Sequence, residues 1–222
     1  MSVATLNTGF RVSLMAYVNL ASTTKLHRAN QIVNDLGTNG LMKLYSGTIP
    51  ASPDIATSGV LLATLPLAPV AAVVSLGVQE AVIAAPGSGG LDGTYGLTFS
   101  GGGGTGAAGT YTVTGGIVAS VLISATGVGY TSLPTVGGFA SAAVTGAVIT
   151  PVMSAIITFN PMSTATAVAS GLVALARLTT AAGTPILDLD VGTTNVYSVV
   201  TNNANIILGS AVTCAAEVLI EQ

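Results

Sequence analysis

The amino-acid sequence predicts a mainly β protein: an antiparallel β-sandwich of the jelly-roll or immunoglobulin-like kind, with one or two short N-terminal helices. Three observations lead to this prediction. After Gly40, apolar and polar residues alternate with a period of two in one short segment after another. Val, Ile and Thr, which favour strands, are abundant. In the middle of the chain, glycines separate these segments at intervals of about ten residues, the spacing expected of an all-β unit.

Two stretches near the N-terminus have the 3.6-residue period of a helix. Apolar residues fall on one helical face from Phe10 to Leu20 and again from Lys25 to Leu36. Thr23 or Thr24 is placed to cap the second helix, and Gly37 to end it. Both helices are expected to pack their apolar faces against a sheet.

Strand patterns occur in two groups that flank a different middle section. LMKLYS (41–46) and VLLATLPL (60–67) precede the middle section. GLVALARLTT (171–180) and ILDLDVG (186–192), joined by the turn AAGTP, follow it. We expect these flanks to form antiparallel strands of one core.

The middle section, from Ala84 to Pro151, is rich in Gly, Ser and Thr and contains short β-type segments. This change of composition predicts a small inserted β subdomain over 84–151, with 1–83 and 152–222 forming a split sandwich core. Within it, TVTGGIVAS predicts a β-hairpin whose two-residue loop is Gly115-Gly116.

Charge is scarce in this protein. Charged residues make up 6 % of the chain, against about 25 % in an ordinary soluble domain. No residue from Gly93 to Ala176 is charged, and the five basic residues are scattered along a chain of formal net charge −3. Nucleic-acid binding requires clustered Lys or Arg, so we expect none. A surface with so little charge is compatible with close packing of copies in a large assembly.

One stretch, Ile55–Gln79, is long enough and sufficiently uncharged to suggest a membrane helix. Pro66 and Pro69 interrupt it, and its two halves are more typical of extended strands. The N-terminal residues lack the basic-then-apolar layout of a signal peptide. We therefore expect no membrane partner and synthesis in a cytoplasm.

The segment FSGGGGTGAAGTYTVTGG (99–116) raises the question of phosphate binding. A P-loop requires a Lys and a Ser or Thr after its last glycine, but there is no Lys between 44 and 222. A dinucleotide fingerprint requires a helix after the glycines and an acid about twenty residues later. Here a predicted strand follows, and the next acid is Asp188. We interpret the segment as a loop joining two strands and expect no cofactor.

Few side chains are candidates for chemistry. Asp188 and Asp190 are two apart in a predicted strand, so both carboxylates project from one face. Calcium binding assisted by Asn195, or acid–base catalysis, are the alternatives to the solvated polar face that we favour. The single histidine, His27, is expected on the solvent face of its helix, and the single cysteine, Cys214, in the core. We predict no catalytic, cofactor or metal site and no enzymatic activity.

Tyrosines offer one further kind of site. Tyr45, Tyr95, Tyr111, Tyr130 and Tyr197 are spread along predicted strands and turns. Tyr95, Tyr111 and Tyr130 of the insert could form a platform for carbohydrate. The commoner role of a tyrosine at a strand end is to anchor the edge of the sheet.

Both flanks carry a motif. KLYSGTIPASPDIATSGVLLATL (43–65) resembles a segment of a widespread group of small virion proteins of tailed bacteriophages, whose pattern is K/R-I/L-Y-S/T-G-T-x-P-A-S/T-x-D followed by G-x-L-L-A-T-L. GLVALARLTTAAGTPILDLDVGTT (171–194) resembles a second segment of the same group. It departs from the pattern at Leu175 and Ala176, where an aromatic residue is typical, and at Leu189, where the group has Gly. In the insert, GVGYTSLPTV (127–136) is similar to repeats of phage structural and tail-fibre proteins.

The resemblance implies a structural role in a virion. It favours a capsid decoration, or cement, protein that binds the major capsid protein through the split core while the insert projects or bridges to neighbours. A collar, neck or tail-fibre component is the alternative, and a carbohydrate-binding surface module is a third hypothesis. The resemblance also implies synthesis in a bacterial cytoplasm, a final location in the virion, and a homo-oligomer, with dimers and trimers both compatible with capsid symmetry.

Overall fold

The computed structural model describes residues 20–192, 199–200, 204–213 and 218–221. The helix predicted over residues 10–20 therefore lies, apart from its last residue, outside the described residues. Cys214, Asn195 and Tyr197 also lie outside them.

Within the described residues, a helix α1 (Ser22–Leu36) precedes a long series of strands. The strands are β1 (Leu41–Tyr45), β2 (Leu61–Pro66), β3 (Ala72–Ser88), β4 (Gly93–Gly96), β5 (Thr98–Ser100), β6 (Thr105–Thr114), β7 (Ile117–Val128), β8 (Thr135–Gly137), β9 (Thr145–Phe159), β10 (Ala165–Thr166), β11 (Gly171–Leu172), β12 (Leu175–Thr179), β13 (Pro185–Gly192), β14 (Val199–Val200), β15 (Asn205–Ile206), β16 (Ala211–Val212) and β17 (Val218–Glu221). The prediction of a mainly β protein is confirmed, whereas its sandwich type stays a prediction.

A five-stranded sheet unites the two flanks of the chain, in the order β14-β13-β12-β1-β2. Lys43 of β1 lies opposite Arg177 of β12 on one side and opposite Thr64 of β2 on the other. Strands from before and after the middle section are therefore hydrogen-bonded neighbours. The edge strand β2 is covered, because the Ser163 N–H donates to the Pro66 carbonyl and the Val168 N–H to the Leu62 carbonyl.

The main core lies between this sheet, a second sheet of order β17-β9-β3, and α1. Helix α1 contributes Ala29 and Leu36 to the core, as its apolar period predicts. Gly37, at φ +67°, ends the helix as predicted. The predicted threonine cap is wrong, because the N-cap position is Ala21 and no side chain caps the helix. Packing of the apolar face against β9 and β3 takes the place of capping in fixing the helix.

The middle section is built on two strands that leave the core. β3 has 17 residues and β9 has 15, and they remain paired from Ala72 opposite Phe159 to Ser88 opposite Thr145. At about 3.3 Å per residue, the last eight residues of β3 extend the ribbon by roughly 25 Å. A three-stranded sheet of order β4-β6-β7 shares a second apolar cluster with this ribbon. The buried members of that cluster are Leu97, Tyr111, Val113, Val118, Ala142, Val144 and Ile149.

Two details of the middle section bear on the sequence predictions. The hairpin at Gly115-Gly116 is confirmed: Thr114 lies opposite Ile117, and the two glycines have φ of +62° and +81°, as a type I′ turn requires. The predicted boundary residues, Ala84 and Pro151, lie inside β3 and β9 rather than in loops. The division into an inserted subdomain over 84–151 and a split core therefore stays a prediction.

Candidate interaction surfaces

Of the segment 99–116 predicted as a loop, Thr105–Thr114 is strand β6, so the loop between β5 and β6 is confined to the glycine run at 101–104. Its glycines serve a contact that the sequence does not reveal. A Cβ on Gly104 would lie 2.4 Å from ring atoms of Tyr130, and one on Gly102 would lie 2.9 Å from the same ring. The Thr131 N–H and Oγ1 both donate to the Gly102 carbonyl. The glycine run is therefore a cradle for Tyr130, which belongs to the GVGYTSLPTV motif.

Tyr130 in turn ties the insert to the core. It is only 3 % exposed and belongs to the main apolar cluster, although it lies within the predicted insert. Its N–H donates to the Leu76 carbonyl at 3.2 Å and its carbonyl accepts from the Leu76 N–H at 3.3 Å. Nearby, Gly77 allows β7 to cross closely, since a Cβ there would lie 2.8 Å from the Gly127 carbonyl oxygen. The base of the insert is thus held by backbone pairing and by a buried ring.

Further along the insert, aromatic rings stack in the second apolar cluster. The Tyr95 and Tyr111 rings stack with centroids 5.6 Å apart, and Phe139 meets Tyr111 edge-on at 5.3 Å. The Tyr111 hydroxyl donates to the Gly138 carbonyl at 3.0 Å. Burial raises the pKa of Tyr111 above its ordinary value. These contacts stiffen the insert beyond what its glycine content would indicate.

The same burial overturns the hypothesis of a tyrosine platform. Tyr111 and Tyr130 are buried in two different apolar clusters, and Tyr95 is half-buried against Tyr111. Their ring faces are occupied by protein, so the three do not form an exposed stacking surface for a sugar. The burial of Tyr111 and Tyr130 fits the anchoring role, the alternative to a carbohydrate platform, better than it fits the platform.

The predicted solvated face at Asp188 is also wrong. The Arg177 Nε and Nη2 donate to the two Asp188 carboxylate oxygens, each at 2.7 Å, and the two side chains are only 6 % and 5 % exposed. Arg177 Nη2 also donates to the Ile55 carbonyl at 3.0 Å, which fastens the loop after β1 onto the sheet. The hydrogen bonds that Arg177 donates to Asp188 raise the pKa of Arg177 above its ordinary value, against the opposing effect of burial. Asp188 is thus a structural partner of Arg177.

The alternative of a calcium site gains no support from the described residues. Asp190 is half-buried rather than solvated, and Asn195 lies outside the described part of the chain. Among the described residues, no group of three or more His, Cys, Asp or Glu side chains is placed to hold a metal ion. His27 is exposed on α1, as predicted.

The sequence reasoning missed two buried polar contacts, the Arg177–Asp188 ion pair and the hydrogen bond of Lys25. The Arg177–Asp188 pair had only a partial signal: the AAGTP turn predicts that β12 and β13 form a hairpin, but residue 177 lies opposite 188 because of a register shift between Leu178 and Thr179. No pattern in the sequence indicates that Lys25 is buried. Its Nζ donates to the Met153 carbonyl at 3.2 Å, across 128 positions of sequence, and the residue is 6 % exposed.

An exposed apolar surface lies at one edge of the core, and its residues belong to three adjoining segments. Ile49 and Leu172 line a shallow depression of about 490 Å³, together with Val173, Ala174 and Asp190. Val60 is joined to the segment of Ile49 by the hydrogen bond from the Ser46 N–H to the Val60 carbonyl. We call the exposed apolar residues of these adjoining segments the Leu172 patch: Ile49, Val60, Val168, Leu172, Ile207 and Leu208.

Backbone contacts bring these segments together. Leu172 pairs with Asn205, and the Leu208 N–H donates to Ser170 Oγ at 2.8 Å. The Ala167 carbonyl accepts from the Gly209 N–H at 2.9 Å, next to Val168.

No helix among the described residues is both long and apolar enough to span a membrane.

The chain was also compared with known proteins. Searches against protein-family models, curated proteins and solved structures found no match.

Proposed function

We propose that this protein is a structural component of a tailed-phage virion, and specifically a capsid decoration, or cement, protein. In this role it binds the shell of the major capsid protein, or another virion protein, and stabilises the head. It is made in the bacterial cytoplasm and acts in the particle. The observation that carries the proposal is the arm, residues 84–151, which continues from the core on the paired strands β3 and β9 and carries a single charged residue, Asp92.

Stiffness of the arm comes from three contacts along its length. At its base, Tyr130 is buried in the core and paired with Leu76. Along its middle, the Tyr95–Tyr111–Phe139 stack fills the second apolar cluster. At its far end, the Asp92 carboxylate accepts the Gly116 N–H at 3.2 Å, which fixes the hairpin turn to the preceding loop. A rigid arm can transmit load between neighbouring molecules of a shell, whereas a glycine linker cannot.

The arm carries only one charged residue, Asp92, and a surface with so little charge fits contacts that are repeated many times. Copies that meet through surfaces with little charge repel one another only weakly, and their contacts depend little on ionic strength. The split core, whose strands unite the two segments that resemble phage virion proteins, would hold the shell while the arm reaches a neighbour.

A non-enzymatic role is part of the proposal. Asp188, one of the two acids that the sequence offers for chemistry beside Asp190, accepts hydrogen bonds from Arg177 at both carboxylate oxygens, and Arg177 is itself held by the Ile55 carbonyl. The binding of carbohydrate through a tyrosine platform loses its support with the burial of Tyr111 and Tyr130.

Copy number in purified particles tests the proposal and separates it from its main alternative. A cement protein is present in numbers comparable to the major capsid protein, and gel densitometry of virions from the phage that encodes this chain measures that ratio. A small fixed number of copies would indicate a collar, neck or tail-fibre component instead. Absence from the particle would contradict any virion role.

A further inference from the structure

We propose that the Leu172 patch is the surface through which two copies of this chain associate. The proposal deepens the homo-oligomer expected of the proposed function by assigning it an interface. It is nevertheless tested in solution, without a particle, so it can fail or hold independently of the virion role.

Size is the first argument. The six side chains of the patch are 44 to 64 % exposed. For Val, Ile and Leu this corresponds to roughly 100 Å² each and roughly 600 Å² together, the upper end of the largest apolar patch on a typical monomer. A standard protein interface buries about 800 Å² on each partner. A polar rim of roughly 200 Å², which includes Thr48 at the depression, would bring the patch to that size.

Charge is the second argument, and it favours a second copy over a charged partner. Of the described residues that line the depression beside Leu172, Asp190 alone carries a charge. In a two-fold interface each surface faces its own copy, so any strong charge would face a like charge. A nearly neutral patch avoids that repulsion, and it offers a highly charged partner nothing to pair with.

Support beneath the patch is the third argument. Leu172 follows Gly171, which packs against Leu62 and Ser46, and it pairs with β15. Hydrogen bonds from Leu208 and Gly209 fix the opposing turn. The apolar side chains are thus presented by a backbone that is already ordered, which lowers the entropy cost of association.

Sedimentation velocity of the full chain between about 1 and 200 µM tests the proposal. We expect concentration-dependent dimers that persist at high salt, because the interface is apolar. Leu172→Asp should weaken association at least roughly 100-fold, since a buried carboxylate would face its own copy. The matched control is Leu122→Asp in the insert, where Leu122 is 65 % exposed and Leu172 is 64 % exposed; it should leave association unchanged.

Three outcomes would overturn the proposal. The wild-type chain could be monomeric at 200 µM, or Leu122→Asp could dissociate as readily as Leu172→Asp. The third outcome is that Leu172→Asp and Leu208→Ser both associate like the wild type. Thermal unfolding of each variant shows whether it is folded. Should Leu172→Asp fail to fold, Leu208→Ser provides the same test with a milder change. Hydrogen exchange gives a second readout, with protection of amides in 167–172 and 204–210 expected to rise with protein concentration.

Discussion

Substitution of Gly104 by alanine is the most direct way to test the cradle that holds Tyr130. The added Cβ would lie 2.4 Å from ring atoms of Tyr130, a distance that real Cβ contacts essentially never show. The ring cannot move away easily, because it is buried and its backbone is bonded twice to Leu76. The φ of Gly104 lies outside the left-handed region, so a loss of stability in Gly104→Ala would be due to crowding and not to backbone strain.

The expected loss follows from two opposing contributions. Overpacking of a well-filled site costs about 1 to 3 kcal/mol. Replacing Gly by Ala stabilises by about 0.4 to 1 kcal/mol through the unfolded chain. The difference between the midpoints of these two ranges predicts a net destabilisation of about 1.3 kcal/mol for Gly104→Ala. Gly96→Ala is the matched control, because nothing lies within 4 Å of its added Cβ and its φ is also outside the left-handed region; it should be neutral or slightly stabilising.

Urea unfolding followed by circular dichroism measures both changes, since the chain contains no Trp for fluorescence. In a Tyr130→Ala background the crowding at residue 104 is relieved, so the cost of Gly104→Ala should largely vanish. Equal stabilities of Gly104→Ala and Gly96→Ala in the wild-type background would refute the cradle.

Three further predictions concern the ion pair, the aromatic stack and the insert. Arg177→Met should destabilise the fold by about 3 to 5 kcal/mol, because it leaves a buried Asp188 carboxylate unpaired. The double variant that also carries Asp188→Leu should recover most of that loss in the same urea assay. Because burial raises the pKa of Tyr111 in the folded state above the ordinary value of 10.0, stability should be unaffected by this group below about pH 10 and should fall as the pH rises further. Tyr111→Phe should flatten that alkaline decline while costing about 1 kcal/mol at neutral pH, through the lost hydrogen bond to Gly138; a decline of unchanged steepness would contradict it. Replacing 84–151 by a short Gly-Ser turn should leave a folded core that is about 3 to 5 kcal/mol less stable, since Tyr130 leaves the main cluster; loss of a cooperative transition would show that the insert is integral to the domain.

Local chemistry explains which features could be predicted from the sequence. The Gly115-Gly116 hairpin was predictable because two adjacent glycines satisfy the positive φ of a type I′ turn and alternation on both sides sets the register. The flank strands at 41–46, 60–67 and 186–192 and the end of α1 at Gly37 followed from period and turn chemistry in the same way. The single strand predicted over 171–180 is wrong, because the structure divides it into β11, which pairs with β15, and β12 of the five-stranded sheet.

Contacts between distant segments explain what was missed. The glycine run and Tyr130 are separate motifs in the sequence, and their contact depends on the path of the chain between them. Burial of Lys25 against Met153 is likewise set by the packing of α1 on β9, which a helical period does not specify. Tyr111 illustrates the limit for sites: its residue type is compatible with sugar binding or with anchoring, and only its burial decides between them.

An electron-microscopy map of the purified particle tests the central claim most directly, because it gives the position and the copy number of the chain together. We predict density on the outer surface of the head at a stoichiometry comparable to the major capsid protein, with the core on the shell and the arm of β3 and β9 reaching a neighbouring molecule. Density confined to the neck or tail, or no density for this chain at all, would contradict the assignment as a cement protein.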